Sequence, residues 1–280
     1  ELVLSQNASV VIAGQLNGDA VINCFNGKIE QPEIYVGSNS LASWDFSRNM
    51  SSMTVPGSGC PNLKLINAPT RAVTGALWDA SEMNWQHKPE HYASIAFHED
   101  DIYDFNWEPD FSFVIPPNMP SGIYIMRISC GDDYDAMPFF VCPEKDKPQA
   151  KVCVLVSTFT YVIYGNHARP DYDDTWLEKI ADWNAYPHNP AQFQNYGLST
   201  YNNHSDGSGI CHASHKRPLF NLRPGYLTFG QAKCSGLRHF QADSHLISWL
   251  HAKCIEYESI TDEELHTEGL SAIQSYKALL

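Results

Sequence analysis

Val152-Cys153-Val154-Leu155-Val156 is an uninterrupted apolar run with no alternation. A strand of that kind needs cover on both faces, which is the condition of a central strand in a parallel α/β sheet. It follows Cys142-Pro143-Glu144-Lys145-Asp146-Lys147-Pro148, a polar, proline-bounded stretch of the sort that links domains. Downstream, Asp243 is placed to cap a helix whose Leu246, Ile247, Trp249 and Leu250 share one face. A strand from Ile255 to Ile260 follows, and Thr261 with Glu264 makes a capping box that opens a further helix. Tyr276-Lys277-Ala278-Leu279-Leu280 has the character of the next strand. Strand, helix, strand, helix, strand predicts the first half of an open α/β domain over residues 150–280. So few strands leave such a core uncovered, and Leu279-Leu280 carries no stop signal, so the sheet and its site are expected to continue past Leu280.

Upstream the rhythm is that of β structure. Tyr92 to Phe97, Phe111 to Ile115, Gly122 to Ile128 and Met137 to Val141 alternate or run apolar at strand length, with a proline-rich turn at Pro116-Pro117-Asn118-Met119-Pro120. That pattern predicts an immunoglobulin-like β-sandwich over 56–145. Trp78, Trp85 and Trp107 are expected mostly in its core. Leu2-Val3-Leu4, Val10-Val11-Ile12 and Ala20-Val21-Ile22 are short apolar runs parted by turns such as Asn17-Gly18. With Cys24 to Glu30 and Pro32 to Tyr35 they resemble the closing strands of a laminin-G or concanavalin-like jelly roll. Residues 1–55 are therefore read as the C-terminal part of such a domain. The expectation is thus a multidomain chain, β followed by α/β.

Charge excludes two classes of partner. The net charge of −14 lacks the basic footprint that nucleic acid or an anionic membrane requires. No apolar run approaches the ~20 residues of a membrane span. A small neutral substrate is compatible with both facts. The eight cysteines are spread along the chain without a CxxC pair, and Cys153 sits inside an apolar strand. This pattern predicts reduced thiols, and with the absence of a leader at Glu1 it predicts a cytoplasmic protein; a Cys130–Cys142 disulfide is the rival.

Ligands of open α/β sheets bind beyond the carboxyl ends of the strands, which directs attention to the residues after Val156. The excursion from Asp171 to Phe240 is long, weakly periodic and rich in Asn, His, Gly and Tyr, and its aromatic content argues for an ordered functional loop. Four words mark this region: Thr160-Tyr161-Val162-Ile163-Tyr164-Gly165-Asn166-His167-Ala168-Arg169, Tyr196-Gly197-Leu198-Ser199-Thr200-Tyr201-Asn202-Asn203-His204-Ser205-Asp206-Gly207, Leu222-Arg223-Pro224-Gly225-Tyr226, and Leu237-Arg238-His239-Phe240-Gln241-Ala242-Asp243. In that order they resemble the large (beta) subunit of the N,N-dimethylformamidases, whose α/β domain is glutamine-amidotransferase-like. The resemblance implies hydrolysis of N,N-dimethylformamide to dimethylamine and formate at a mononuclear ferric (Fe3+) centre held by two tyrosines and a glutamate. It places the tyrosines on Tyr161, at the end of the first α/β strand, and Tyr201, with Tyr164 an open alternative to Tyr161. The glutamate, in a His-Pro-Glu word, is expected beyond Leu280. The resemblance also implies a small partner subunit and a homo-oligomer of heterodimers.

Phenols ionise near pH 10, so only a strongly Lewis-acidic ion holds them as phenolates near neutrality, and hard oxygen donors suit ferric iron better than zinc. Asn166 is a candidate donor to the substrate carbonyl, and His204 with Asp206 a candidate proton shuttle. His204, Cys211, His212 and His215 fit no strong zinc spacing and otherwise read as solvated loop residues. Arg223 reads as a loop anchor and Tyr226 as a structural ring. Two other readings remain open on the residues: a cysteine-dependent amidotransferase-like enzyme, and a non-catalytic multidomain binding protein.

Overall fold

In the computed structural model, which describes residues 9–18, 20–145, 150–228 and 236–280, the apolar run is the middle of a three-stranded parallel sheet. Val152–Val156 pairs with Tyr257–Thr261 on one side and Ala278–Leu279 on the other. The chain thus starts in the centre, goes to one edge and returns to the opposite edge. The strand order therefore reverses at Val152–Val156, the switch point outside whose carboxyl end doubly wound sheets bind ligands. Four helices follow the strands: α1 (Thr158–Ile163), α2 (Asp174–Trp183), α3 (Phe240–Ala252) and α4 (Asp262–Glu268). The capping box is present, with the Thr261 hydroxyl and the Glu264 carboxylate each answering the other's backbone N–H at the start of α4. Asp243, by contrast, lies inside the first turn of α3, whose N-cap is His239, and its carboxylate is taken by a tyrosine described below.

By compactness the chain divides into two units, one of Glu1–Asp104 with Asn203–His212 and one of Phe105–Asn202 with Ala213–Leu280. This partition differs from the expected one at 55 and 145. Gly27–Glu30 pairs with Ser94–Phe97, and the core of the first unit joins Ala42, Trp44, Phe46 and Val55 to Leu65 and Ile95, so residues on both sides of position 55 share one core. The first unit holds small antiparallel sheets, including the order Gly27–Glu30, Ser94–Phe97, Thr70–Val73. The Asn17-Gly18 turn joins Gln15–Asn17 to Ala20–Ile22, with Gly18 at φ +62°. Arg71 anchors the unit by donating to the carbonyls of Phe46, Arg48, Asn49 and Ser52. Val10-Val11-Ile12 forms no strand, and Leu2-Val3-Leu4 lies outside the described residues.

In the second unit a hairpin of Gly122–Cys130 and Asp133–Val141 lies against the parallel sheet. Ser121 joins them, its hydroxyl accepting from Ser259 N at 2.8 Å and donating to Val141 O at 2.8 Å. The core collects Val154, Val156, Tyr161, Phe240, Ile247 and Leu250, each large side chain contributing roughly 1.5–3 kcal/mol on burial. Phe111 to Ile115 forms no strand; the side chains of Phe111, Phe113, Val114 and Ile115 are exposed. Trp78 and Trp107 are likewise exposed, and the buried tryptophans are Trp44 and Trp176. α2 is a helix that the weak periodicity hid; Asp173 caps it by accepting from Trp176 N, and Asn184 closes it in the left-handed conformation. No helix among the described residues is long and apolar enough to cross a membrane.

Seven described cysteines are free thiols, and Cys234 lies outside the described residues. Burial, then Glu264, pushes the Cys142 thiol up to about 12; burial, then Glu258, pushes Cys153 up to about 11. Native alkylation at pH 8 followed by mass spectrometry is therefore expected to label the exposed Cys24, Cys130, Cys211 and Cys254 and to spare Cys142 and Cys153 until the protein unfolds. Labelling of Cys130 only after reduction would show the disulfide instead.

Candidate active site

α1 begins one residue after the central strand and carries two tyrosines three positions apart. Tyr161 points into the core: its residue is 1% exposed, its ring packs edge-on to Phe240, and its hydroxyl donates to Asp243 Oδ2 at 2.5 Å. Burial first, and Asp243 second, drive its pKa upward, so this phenol stays protonated. Tyr161 is thus on the helix rather than at the strand's end. Tyr164 caps the helix, and its hydroxyl donates to the hydroxyl of Tyr201 at 2.7 Å. The two rings stack with centroids 4.2 Å apart, inclined at 13°.

Backbone capture places Tyr201. α1 ends with the Ile163 carbonyl unpaired within the helix, and that oxygen accepts from the Ser199 hydroxyl at 2.9 Å and from Thr200 N at 3.3 Å. The Ser199 oxygen in turn accepts from Tyr201 N at 3.0 Å. Asn202 clips the next segment through its amide, donating to Ala168 O and accepting from Ala168 N. Arg217, 3% exposed, donates to the carbonyls of Gly165, Gly197, Leu198 and Ser214, so one buried guanidinium binds both strands of the loop pair. Desolvation lowers its pKa to about 10.

Asn166 belongs to this scaffold. It is 1% exposed at φ +59°, and its Nδ2 donates to Gly197 O at 3.0 Å and Pro218 O at 2.7 Å while Oδ1 accepts from Phe220 N at 2.9 Å. Both amide hydrogens are engaged by carbonyls, which leaves none for a substrate. Arg223 is the expected anchor, pairing with Asp135 at 2.6 Å and donating to the Leu219 and Leu222 carbonyls. Tyr226 is 2% exposed and shares its hydroxyl with Tyr172 at 3.1 Å.

Around the tyrosine pair stand three residues that no spacing signalled. The His239 ring lies 4.3 Å from Tyr164, the Arg238 guanidinium 5.0 Å from the same ring, and the His167 ring 5.8 Å from Tyr201. Burial first lowers both histidines to about 4; Arg169 and then Arg238 reinforce it at His167, and Arg238 and then His167 at His239. Both rings are therefore neutral near pH 7. His239 occupies φ 56°, ψ −130°, a backbone region glycine favours, at the start of α3. Strain of this kind concentrates at functional sites. Tyr201 is 56% exposed, so the pair is open to solvent. Hydrogen bonding to Tyr164 holds the Tyr201 phenol above its usual pKa, and two phenolates so close ionise together only when a cation lies between them. Hard, convergent oxygen donors beside neutral imidazoles fit a ferric ion.

His204 belongs to the first unit. It is 5% exposed rather than solvated, and its Nδ1 lies 2.7 Å from Asp100 Oδ1, while Asp206 turns to His98 and Ser208. Cys153 is buried in its strand with a raised pKa, which removes it as a nucleophile of the amidotransferase kind.

Residues 70–280 match a family model described as N,N-dimethylformamidase beta subunit-like, C-terminal. The chain is 32% identical over 286 residues to the N,N-dimethylformamidase beta subunit of Paracoccus aminophilus, covering 91% of this chain and 37% of that protein. It is also 32% identical, over 287 residues, to the N,N-dimethylformamidase beta subunit of Alcaligenes sp, with the same coverage of each. The chain thus spans well under half the length of these relatives.

Proposed function

Since this chain belongs to the N,N-dimethylformamidase beta-subunit family, we propose that it carries part of the active site of a metal-dependent amidase that cleaves N,N-dimethylformamide, or a similar small N-substituted formamide, to the amine and formate. The observation that carries this reading is the solvent-open pair of phenol oxygens, Tyr164 and Tyr201, 2.7 Å apart beyond the central strand. These two residues, rather than Tyr161, are the proposed ligands of ferric iron, because the Tyr161 hydroxyl is spent on Asp243 inside the core. A glutamate C-terminal to Leu280 is the proposed third ligand. Iron held there would supply Lewis acidity, polarising an amide carbonyl and lowering the pKa of water.

The chain's own residues would do the rest. Burial first, then Arg169 and Arg238 at His167 and Arg238 at His239, keeps both rings neutral, so that the unprotonated nitrogen of either can take a proton from attacking water. His167 Nδ1 is buried without a hydrogen-bond partner among the described residues, which leaves that nitrogen uncommitted. Asn166 and Arg217 position the loops and do not touch substrate. A companion subunit is proposed from the relatives' designation as beta subunits, in a homo-oligomer of heterodimers. The exposed apolar segment Phe111 to Ile115 is compatible with such assembly.

The test is metal content and colour of the full-length protein purified with its partner. About one iron per beta chain is expected, with a visible phenolate-to-iron charge-transfer band and formamide hydrolysis that follows iron occupancy. A colourless zinc protein of equal activity, or iron retained by the Tyr164→Phe/Tyr201→Phe double variant, would sink the assignment.

A further inference from the structure

The first unit holds a second convergence of ligand-type side chains. His98, Asp101 and His204 each offer one ligand atom, and these atoms lie within 4.8 Å of one another. The side chains are buried, with 5%, 12% and 3% of their surface exposed. Hydrogen bonding on the outer side of each ring fixes its tautomer. The Ser208 hydroxyl gives its hydrogen to Asp206 Oδ1 at 2.6 Å, so its oxygen is left to accept from His98 Nε2–H at 2.9 Å. His204 Nδ1–H donates to Asp100 Oδ1 at 2.7 Å. Each ring therefore turns a lone pair inward: His98 Nδ1 lies 3.5 Å from Asp101 Oδ2, and His204 Nε2 lies 3.9 Å from Asp101 Oδ1. Two ring nitrogens and the Asp101 carboxylate, which also accepts from His98 N at 3.2 Å, are thus gathered in one place. His98 Nδ1 is accordingly buried without a hydrogen-bond partner among the described residues.

We propose that His98, Asp101 and His204 bind a divalent transition-metal ion of the zinc type, which holds the segment Asn203–His212 to the rest of its unit. Two imidazoles and a carboxylate are donors that zinc accepts, and ligand bonds of about 2.0–2.2 Å require donor separations of roughly 3.3–3.6 Å, so atoms now within 4.8 Å of one another would draw together on binding. Asp100 and Ser208 stand behind the rings as orienting partners, the arrangement that fixes metal-binding histidines. Asp100, Asp101 and Asp206 surround the two rings with carboxylate oxygens, whose negative charge a dication offsets. His98 and Asp101 also line an apolar cavity of about 160 Å³, ample for the water that would complete the coordination shell. The rings now stack in parallel with centroids 3.7 Å apart. Nitrogen lone pairs lie in the ring plane, so coordination turns the rings out of that stack.

The experiment uses the full-length protein with its partner, stripped by chelator and then titrated with Zn2+ and, separately, Co2+, counting bound metal by mass spectrometry. Carrying Tyr201→Phe in every sample keeps the tyrosine pair from contributing. One equivalent of zinc bound at micromolar free metal is expected, with visible Co2+ bands of a nitrogen–oxygen site. That equivalent should vanish in His98→Gln/His204→Gln and weaken about 10–100-fold in Asp100→Asn. Zinc uptake unchanged in a folded double variant overturns the proposal. Should the double variant not fold, the Co2+ spectrum of the parent protein decides, and absence of nitrogen-ligand bands overturns it equally. Protons alone between these groups would give that negative result.

Discussion

Tyr201→Phe is expected to lower formamide hydrolysis by about 10³-fold or more, the loss of several kcal/mol of transition-state stabilisation that a displaced Lewis acid entails. The ring is exposed, so its packing changes little, and stability should move by no more than about 0.5 kcal/mol. Tyr164→Phe should behave likewise in activity. Tyr161→Phe should do the reverse: iron and turnover survive, while removal of the donor to Asp243 inside the core costs about 1–3 kcal/mol. Steady-state rates, iron analysis and urea unfolding of the three variants separate the roles. Iron lost from Tyr161→Phe and kept in Tyr164→Phe would return the first ligand to Tyr161.

Arg217→Met should be among the most destabilising single substitutions in the second unit, at about 3–5 kcal/mol, the cost typical of breaking a buried, hydrogen-bonded charge. Methionine replaces the apolar length of the side chain but leaves the carbonyls of Gly165, Gly197 and Leu198 without their buried donor. A shift of the urea midpoint with unchanged slope is the expected reading. Because Gly165 adjoins Tyr164 and Leu198 lies three residues before Tyr201, the surviving folded fraction should also hydrolyse amide more slowly. A midpoint within error of the parent would refute the staple.

The parallel sheet was legible because its constraints are local: an unbroken apolar run, a capping box and the next apolar run each declare themselves within a few residues. The helix Asp174–Trp183 was not, since among its apolar positions only Trp176 and Ile180 are buried and the stripe is too thin to stand out from a polar loop. Phe111 to Ile115 reads as a strand in composition, but a strand also needs a partner, and no local pattern supplies one. At the site, the words around Tyr161 and Tyr201 located the region. Which tyrosine of the 161/164 pair meets Tyr201 depended on where α1 ends and on the capture of the Ile163 carbonyl. Asn166 is a related case: an asparagine in a loop has the look of a ligand donor, and only the fold shows its amide donating to carbonyls 31 and 52 residues away. Arg238 and His239 stayed invisible because their importance comes from meeting Tyr164 in space.

The chain returns to the first unit at Asn203–His212 after leaving it at Asp104. On the ribosome that interval matters. At about 5–20 residues per second, synthesis from Asp104 to His212 takes on the order of 5–20 s. During that time the nascent first unit has His98 and Asp101 without His204, and His98 without the Ser208 and Asp206 that meet its Nε2. Completion of that cluster therefore waits on the synthesis of residues 105–202, and a fragment ending at Asp104 should bind zinc far more weakly than the full-length protein.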